Sequence, residues 1–219
     1  MSRALRSVRA LSALRAARIA SPSPMALARP AVSASAPVFR RYASGPAPVS
    51  SMDGTLAHAQ SLLDEGTRAL EEGDLQRAQA LYKESVAAKS TSGGWFNLGV
   101  VEYQLENREA AIEAWKQSIQ LEPSADAYTN LGSAYMMSRP PQPAEAIKAL
   151  TAAMEIAPED PEVAFNLAAV LESTDSLETA LTLYRKAQAG GIERAAANVR
   201  NVGAKILAKQ MREEEANKK

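Results

Sequence analysis

Apolar and small residues recur from about residue 59 to residue 211 at the i, i+3, i+4, i+7 spacing of amphipathic helices. Leu98, Val101 and Leu105 form one such row, and Ile112, Trp115 and Ile119 form the next. Gly73-Asp74, Asn107 and Asp175 punctuate the rows within pairs, while Pro123 and Pro158 stop them between pairs. After Gly190-Gly191, a last row of Ile192, Ala196, Val199, Val202, Ile206 and Met211 predicts one longer helix from about Glu193 to Met211. The pattern predicts an all-α chain of short helices laid down two by two.

The pairs repeat. Trp95-Phe96-Asn97-Leu98-Gly99, followed by Ala111, Trp115, Ser118 and Pro123, returns as Tyr128-Thr129-Asn130-Leu131-Gly132 with Ala146, Leu150, Ala153 and Pro158. It returns again as Ala164-Phe165-Asn166-Leu167-Ala168 with Ala180, Tyr184 and Ala187, and an earlier copy reads Leu62, Gly66, Ala78, Tyr82 and Ser85. The small residue of the first half falls at 66, 99, 132 and 168, and the alanine of the second half at 78, 111, 146 and 180. This order and spacing resemble the tetratricopeptide repeat (TPR), a 34-residue helix-turn-helix unit. Four copies are marked out, over residues 59–90, 92–123, 125–158 and 161–191. The resemblance implies a right-handed α-solenoid of about four units closed by a C-terminal capping helix over 192–213, with 214–219 a frayed tail. In each unit the tiny residue lets the partner helix approach and the large side chain opposite fills the space between them.

Three departures mark the array. The third turn, Ser138-Arg139-Pro140-Pro141-Gln142-Pro143, is two residues longer than the turn of the second unit and is expected as a stiff surface loop, with a proline-motif ligand site as the alternative. Glu102 stands where the family prefers an aromatic, with Tyr103 one place later, so local repacking is expected. In the last helix Asn198-Val199 aligns with Asn166-Leu167, but Arg200 takes the small-residue position, which marks a terminal cap on which no further repeat packs.

The formal net charge over 219 residues is zero, yet the charges are unevenly placed. Eight arginines (3, 6, 9, 15, 18, 29, 40 and 41) precede the first acid, Asp53, and no lysine lies among them. An Arg-rich, Ser-rich, acid-free start is the composition of an organellar transit peptide. Arg40-Arg41-Tyr42-Ala43 resembles a matrix processing site cut after Tyr42, which makes 1–42 a cleaved mitochondrial presequence and 43–58 a linker. A basic nucleic-acid-binding tail, a disordered linker and a secretory signal are the competing readings. The missing acids, the use of Arg alone and the absence of a long apolar run favour the mitochondrion, with the matrix as the expected compartment. Removal of the eight arginines leaves 17 basic and 25 acidic residues, a mature charge of −8. An acidic chain without a basic stripe argues against a nucleic-acid partner.

Chemistry is sparse. No cysteine and the single His58, expected exposed ahead of the first helix, leave no thiol nucleophile, no His/Cys metal site and no Ser-His-Asp triad. No Gly-rich phosphate loop or paired buried carboxylates stand out, so neither catalysis nor a cofactor is expected. No apolar run reaches the roughly 18 residues of a membrane span. The resemblance implies instead a protein-binding scaffold whose first helices line a concave groove. Carried over residue by residue, the groove positions are Leu63, Asp64, Thr67 and Leu70; Phe96, Asn97, Val100 and Gln104; Asp126, Asn130, Ser133 and Met137; and Glu162, Phe165, Asn166 and Ala169. Asn97, Asn130 and Asn166 are equivalent, and each amide can serve a ligand's backbone or simply tie neighbouring helices together. Asp64, Asp126 and Glu162 give the groove acidic character without the lysines of a carboxylate clamp, which implies a basic or amphipathic segment as ligand; acids that merely keep the surface soluble are the alternative. Such a chain would be an adaptor or assembly factor, a stoichiometric subunit of a mitochondrial complex or ribosome, or an import and sorting receptor. The sequence leaves its oligomeric state open.

Overall fold

The structure, a computed structural model, describes residues 54–218. The expected presequence, its processing site at Arg40 to Ala43 and linker residues 43–53 lie outside the described residues. Nine helices and no strand occur among the described residues: α1 (Gly54–Glu71), α2 (Leu75–Ala88), α3 (Ser92–Gln104), α4 (Arg108–Leu121), α5 (Ala125–Met137), α6 (Pro143–Ile156), α7 (Pro161–Ser173), α8 (Leu177–Ala189) and α9 (Ala195–Asn217). Each helix packs on its neighbour in sequence and α5 also touches α7, so that four antiparallel hairpins stack and α9 closes the stack against α8.

The hairpins are shaped by the small-on-large pairs. A methyl group added at Gly66, Gly99 or Gly132 would sit 2.6 Å from Tyr82 Cε1, 2.5 Å from Trp115 Nε1 or 2.6 Å from Leu150 Cγ. Each large side chain is therefore seated directly on its partner's backbone, and burial of each contributes about 2–3 kcal/mol. In the fourth hairpin the pair is Ala168 with Tyr184, both buried. A second device recurs in the first two: Ser85 Oγ donates to Ala59 O at 2.8 Å, and Ser118 Oγ donates to Ser92 O at 2.9 Å, tying each second helix to the start of its own first helix. Ala153 and Ala187 replace these serines in the third and fourth units.

Helix ends follow local chemistry. Thr91, Ser124 and Asp160 accept backbone N–H groups at the starts of α3, α5 and α7, and Asp74 does so for α2, each cap contributing about 1 kcal/mol. The turns inside units one, two and four place one residue in the left-handed region, namely Gly73, Glu106 and Asp175. In all three, the N–H after this residue bonds five residues back, as Asp74 to Ala69, Asn107 to Glu102 and Ser176 to Leu171. The third turn lacks this geometry. Residues 139–142 run exposed between buried Ser138 and Pro143 at the first turn of α6, as a surface loop.

Several expected boundaries shift. Residues 54–58 belong to α1 rather than to a linker, and His58 sits exposed on that helix, because Ala57, Ala59 and Gln60 extend a helix anchored by the Ser85–Ala59 bond. The last helix starts at Ala195 and runs through Asn217, so residues 214–217 are helical rather than frayed. Arg212, Glu213 to Glu215 and Ala216 are all good helix formers. Met211 does not share the core face with Ile192, Val199, Val202 and Ile206, which pack against the fourth hairpin. Five residues beyond Ile206, it is turned about 140° around the helix and is 55% exposed.

Glu102 is the most informative departure. It is 2% exposed, and the repacking consists of three donors converging on its carboxylate. Gln79 Nε2 and Asn107 Nδ2 each reach Oε2 at 2.8 Å, and Lys83 Nζ reaches Oε1 at 2.9 Å. Burial pushes the carboxyl up, but the bonds from Lys83, Asn107 and Gln79 with the Lys83 charge outweigh it and hold Glu102 below the ordinary carboxylate range. Tyr103, displaced by one position, meets Trp115 with ring centroids 5.8 Å apart.

Candidate functional site

The first helices α1, α3, α5 and α7 carry every expected groove residue, but burial divides them. Phe96, Val100, Phe165, Asn166 and Ala169 are buried, and so is Leu70. Phe96 and Val100 belong to the core that joins the first units, and Phe165 and Ala169 to the core under α9. They are packing residues that reach the face only by an edge. Leu63, Thr67, Asn97, Asp126, Asn130, Ser133, Met137 and Glu162 are half-buried along the face, and Asp64 and Gln104 are exposed.

Two hydroxyls of this set are already committed. Thr67 Oγ1 donates to Leu63 O at 2.9 Å and accepts from Tyr82 Oη at 3.2 Å, while Ser133 Oγ donates to Thr129 O at 3.0 Å. The asparagines are not. Asn97, Asn130 and Asn166 make no hydrogen bond to a neighbouring helix among the described residues. The polar side-chain atoms that are both buried and unpaired there are Trp115 Nε1, Thr129 Oγ1 and Arg194 Nε, so even the Asn166 amide keeps access to solvent. Three equivalent amides thus remain unspent along successive helices.

The acids behave differently from one another. Glu162, at the first turn of α7, is ion-paired with Arg194, the residue that leads into α9. The Arg194 guanidinium also lies 4.4 Å from the centroid of the Phe165 ring, a cation–π contact. Sequence reading of the groove missed Arg194 because it stopped at the fourth unit; alignment of Asn198 with Asn166, carried back four places, sets Arg194 opposite Glu162. By this alignment α9 follows the register of a first-half helix and Arg194 stands at the position equivalent to Glu162. Lys205 and Lys209 of α9 bind Glu172 at 2.6 Å and Asp175 at 2.9 Å and fasten α9 to the end of α7 and the turn that follows it. Tyr184 links the same parts: its phenol donates to Glu172 Oε2 at 2.9 Å, and burial, then the Glu172 bond and charge, hold it protonated far above the usual range. A shallow cleft of about 530 Å³ lies here between the start of α8 and α9, lined by Asp175, Leu177, Lys205 and Lys209 among others.

Four stacked helical hairpins closed by a further helix define a scaffold of the solenoid class. Residues 92–125 match the tetratricopeptide repeat family, and residues 142–198 match a second description of the same repeat. Among solved structures, YrrB, described as a TPR protein with an unusual peptide-binding site, superposes with a TM-score of 0.59 at 20% identity, over 67% of this chain and 76% of that one. The MamA protein gives 0.60 at 25% identity over 75% and 94%, and MamA from Desulfovibrio magneticus RS-1 gives 0.63 at 18% over 74% and 92%. Curated proteins gave no match. The fold is a TPR-like helical solenoid, an architecture that serves protein–protein interaction and is generally non-catalytic, and no enzymatic family is indicated. No helix among the described residues is long and apolar enough to cross a membrane.

Proposed function

We propose that this chain is a mitochondrial adaptor whose inner face grips a basic or amphipathic segment of a partner protein during assembly or quality control of a mitochondrial complex. The observation that carries the reading is Arg194. The array already holds one of its own guanidinium groups on this face, between the Glu162 carboxylate and the Phe165 ring, which is the chemistry an arginine-bearing ligand would use. That contact also narrows the site: the fourth unit is occupied from within, and the ligand lies over units two and three. There the Asn97 and Asn130 amides supply both donors and acceptors for an extended backbone. The Arg-rich, acid-free composition of residues 1–42 supports the compartment.

The variant Asp126→Lys/Asn130→Ala, altering two half-buried positions of α5, is expected to lose its cross-linked partners in intact mitochondria while keeping its helical circular dichroism. An unchanged set of partners would refute the groove reading. Residues 1–50 fused to a reporter should enter mitochondria and be shortened near Tyr42, and cytosolic retention would overturn the address.

A further inference from the structure

The α9 helix is 23 residues long, against 13 for α8 on which it packs. At 1.5 Å per residue it outruns its support by about 15 Å. Short unsupported helical ends are marginal in water, and a second surface along this length would steady the end of α9. Ala195, Val202 and Ile206 face the fourth hairpin. Residues 100° apart per step then put Arg200, Leu207, Met211 and Glu214 within an arc of about 60° on the opposite side. All four are exposed, Leu207 by 58% and Met211 by 55%. Gly203 borders the stripe, and a Cβ added there would meet nothing within 4 Å.

This stripe is complementary to itself. Laid antiparallel on a copy of α9 with the two-fold axis at Leu207, Arg200 falls opposite the Glu214 position, Met211 opposite the open space at Gly203, and Leu207 opposite its own equivalent. The cations Lys205 and Lys209 do not compete, since they point back to Glu172 and Asp175. We infer that the outer face of α9 is a homodimer interface, occupied by α9 of a second copy of this chain in antiparallel register. Two arginine–glutamate pairs flank a small apolar centre, so the area is modest and association lies in the micromolar range, about 1–100 µM.

Sedimentation equilibrium of the full chain is expected to show a concentration-dependent dimer. Arg200→Glu and Glu214→Arg should each weaken it by about tenfold or more, since each creates two like-charge pairs, and the double swap should restore it. The chain has no cysteine, so Leu207→Cys provides a clean register test: it should form a disulfide-linked dimer under mild oxidation, whereas Arg212→Cys, turned well away from the seam, should not. A monomer up to about 200 µM, a dimer indifferent to both single reversals, or equal cross-linking at 207 and 212 would overturn the proposal. Circular dichroism of each variant checks that α9 remains helical, so that loss of the dimer is not loss of the helix.

Discussion

Replacement of Glu102 tests how the first two repeats are joined. Its carboxylate on α3 gathers Gln79 and Lys83 from α2 and Asn107 from the following turn, so it bridges units as well as capping its own hairpin. In Glu102→Gln, a single amide oxygen in the place of Oε2 still accepts from Gln79 and Asn107. The new NH₂ faces Lys83, which is 55% exposed and swings into water. What is lost is the charge assistance of two bonds and a pair discounted for solvent screening, about 1–2 kcal/mol. In Glu102→Ala all three bonds go, the amide donors lose a buried partner and a small cavity remains, so the cost rises to about 3–4 kcal/mol. The pH dependence has a definite sign. The folded carboxyl titrates below its ordinary value near 4.5, so its contribution is present above the unfolded pKa and disappears as pH falls through the folded one. The gap between wild type and Glu102→Gln should therefore be full at neutral pH and close progressively below about pH 4.5. Urea unfolding followed by circular dichroism at pH 7 and at pH 3.5 measures the gap, and hydrogen exchange should show α1 and α2 losing protection first. A glutamine variant as costly as alanine, or a gap unchanged between the two pH values, would refute the converging-donor account.

Two further predictions follow from the hairpins. Gly99→Ala drives a methyl group into the Trp115 indole and should cost about 2–3 kcal/mol, whereas Gly99→Ala combined with Trp115→Tyr recreates the Ala168–Tyr184 pairing and should cost less than the two single changes summed; strict additivity in urea unfolding would sink the small-on-large argument. Glu106→Gly relieves a left-handed residue and should raise the free energy of unfolding by about 0.5–1 kcal/mol, and Asp175→Gly should raise it by less because it also removes the Lys209 ion pair, while loss of stability at Glu106 would show that its side chain matters more than its backbone.

The repeat architecture was legible because packing writes itself into spacing. Gly66, Gly99 and Gly132 with their large partners recur at intervals that only stacked hairpins explain, and the helix boundaries of units two to four fall within a few residues of the turns marked by Asn107, Pro123 and Pro158. The misplaced details share a cause, since each depends on a contact distant in sequence. Met211 keeps apolar character but loses its phase five residues after Ile206. Glu102 reads as a defect until Gln79 and Lys83 are brought across from another helix. Six of the sixteen expected groove positions are buried, because a first-half helix must face its own partner, the next repeat and the inner surface at once, and Phe96, Val100 and Phe165 serve the first two. Arg194 escaped notice because it stands at the entry of a helix that looked like a lid, beyond the last repeat.

The seating of Trp115 under Gly99 has a spectroscopic consequence. The chain contains two tryptophans, and both Trp95 and Trp115 lie in the second unit, one half-buried at the start of α3 and the other beneath it. Indole emission is therefore a local gauge of that unit, while far-ultraviolet ellipticity sums over every helix. In a linear array that unravels from its ends, the two signals should part company on heating, and the interval between their midpoints would read out how far cooperativity extends from one repeat to the next.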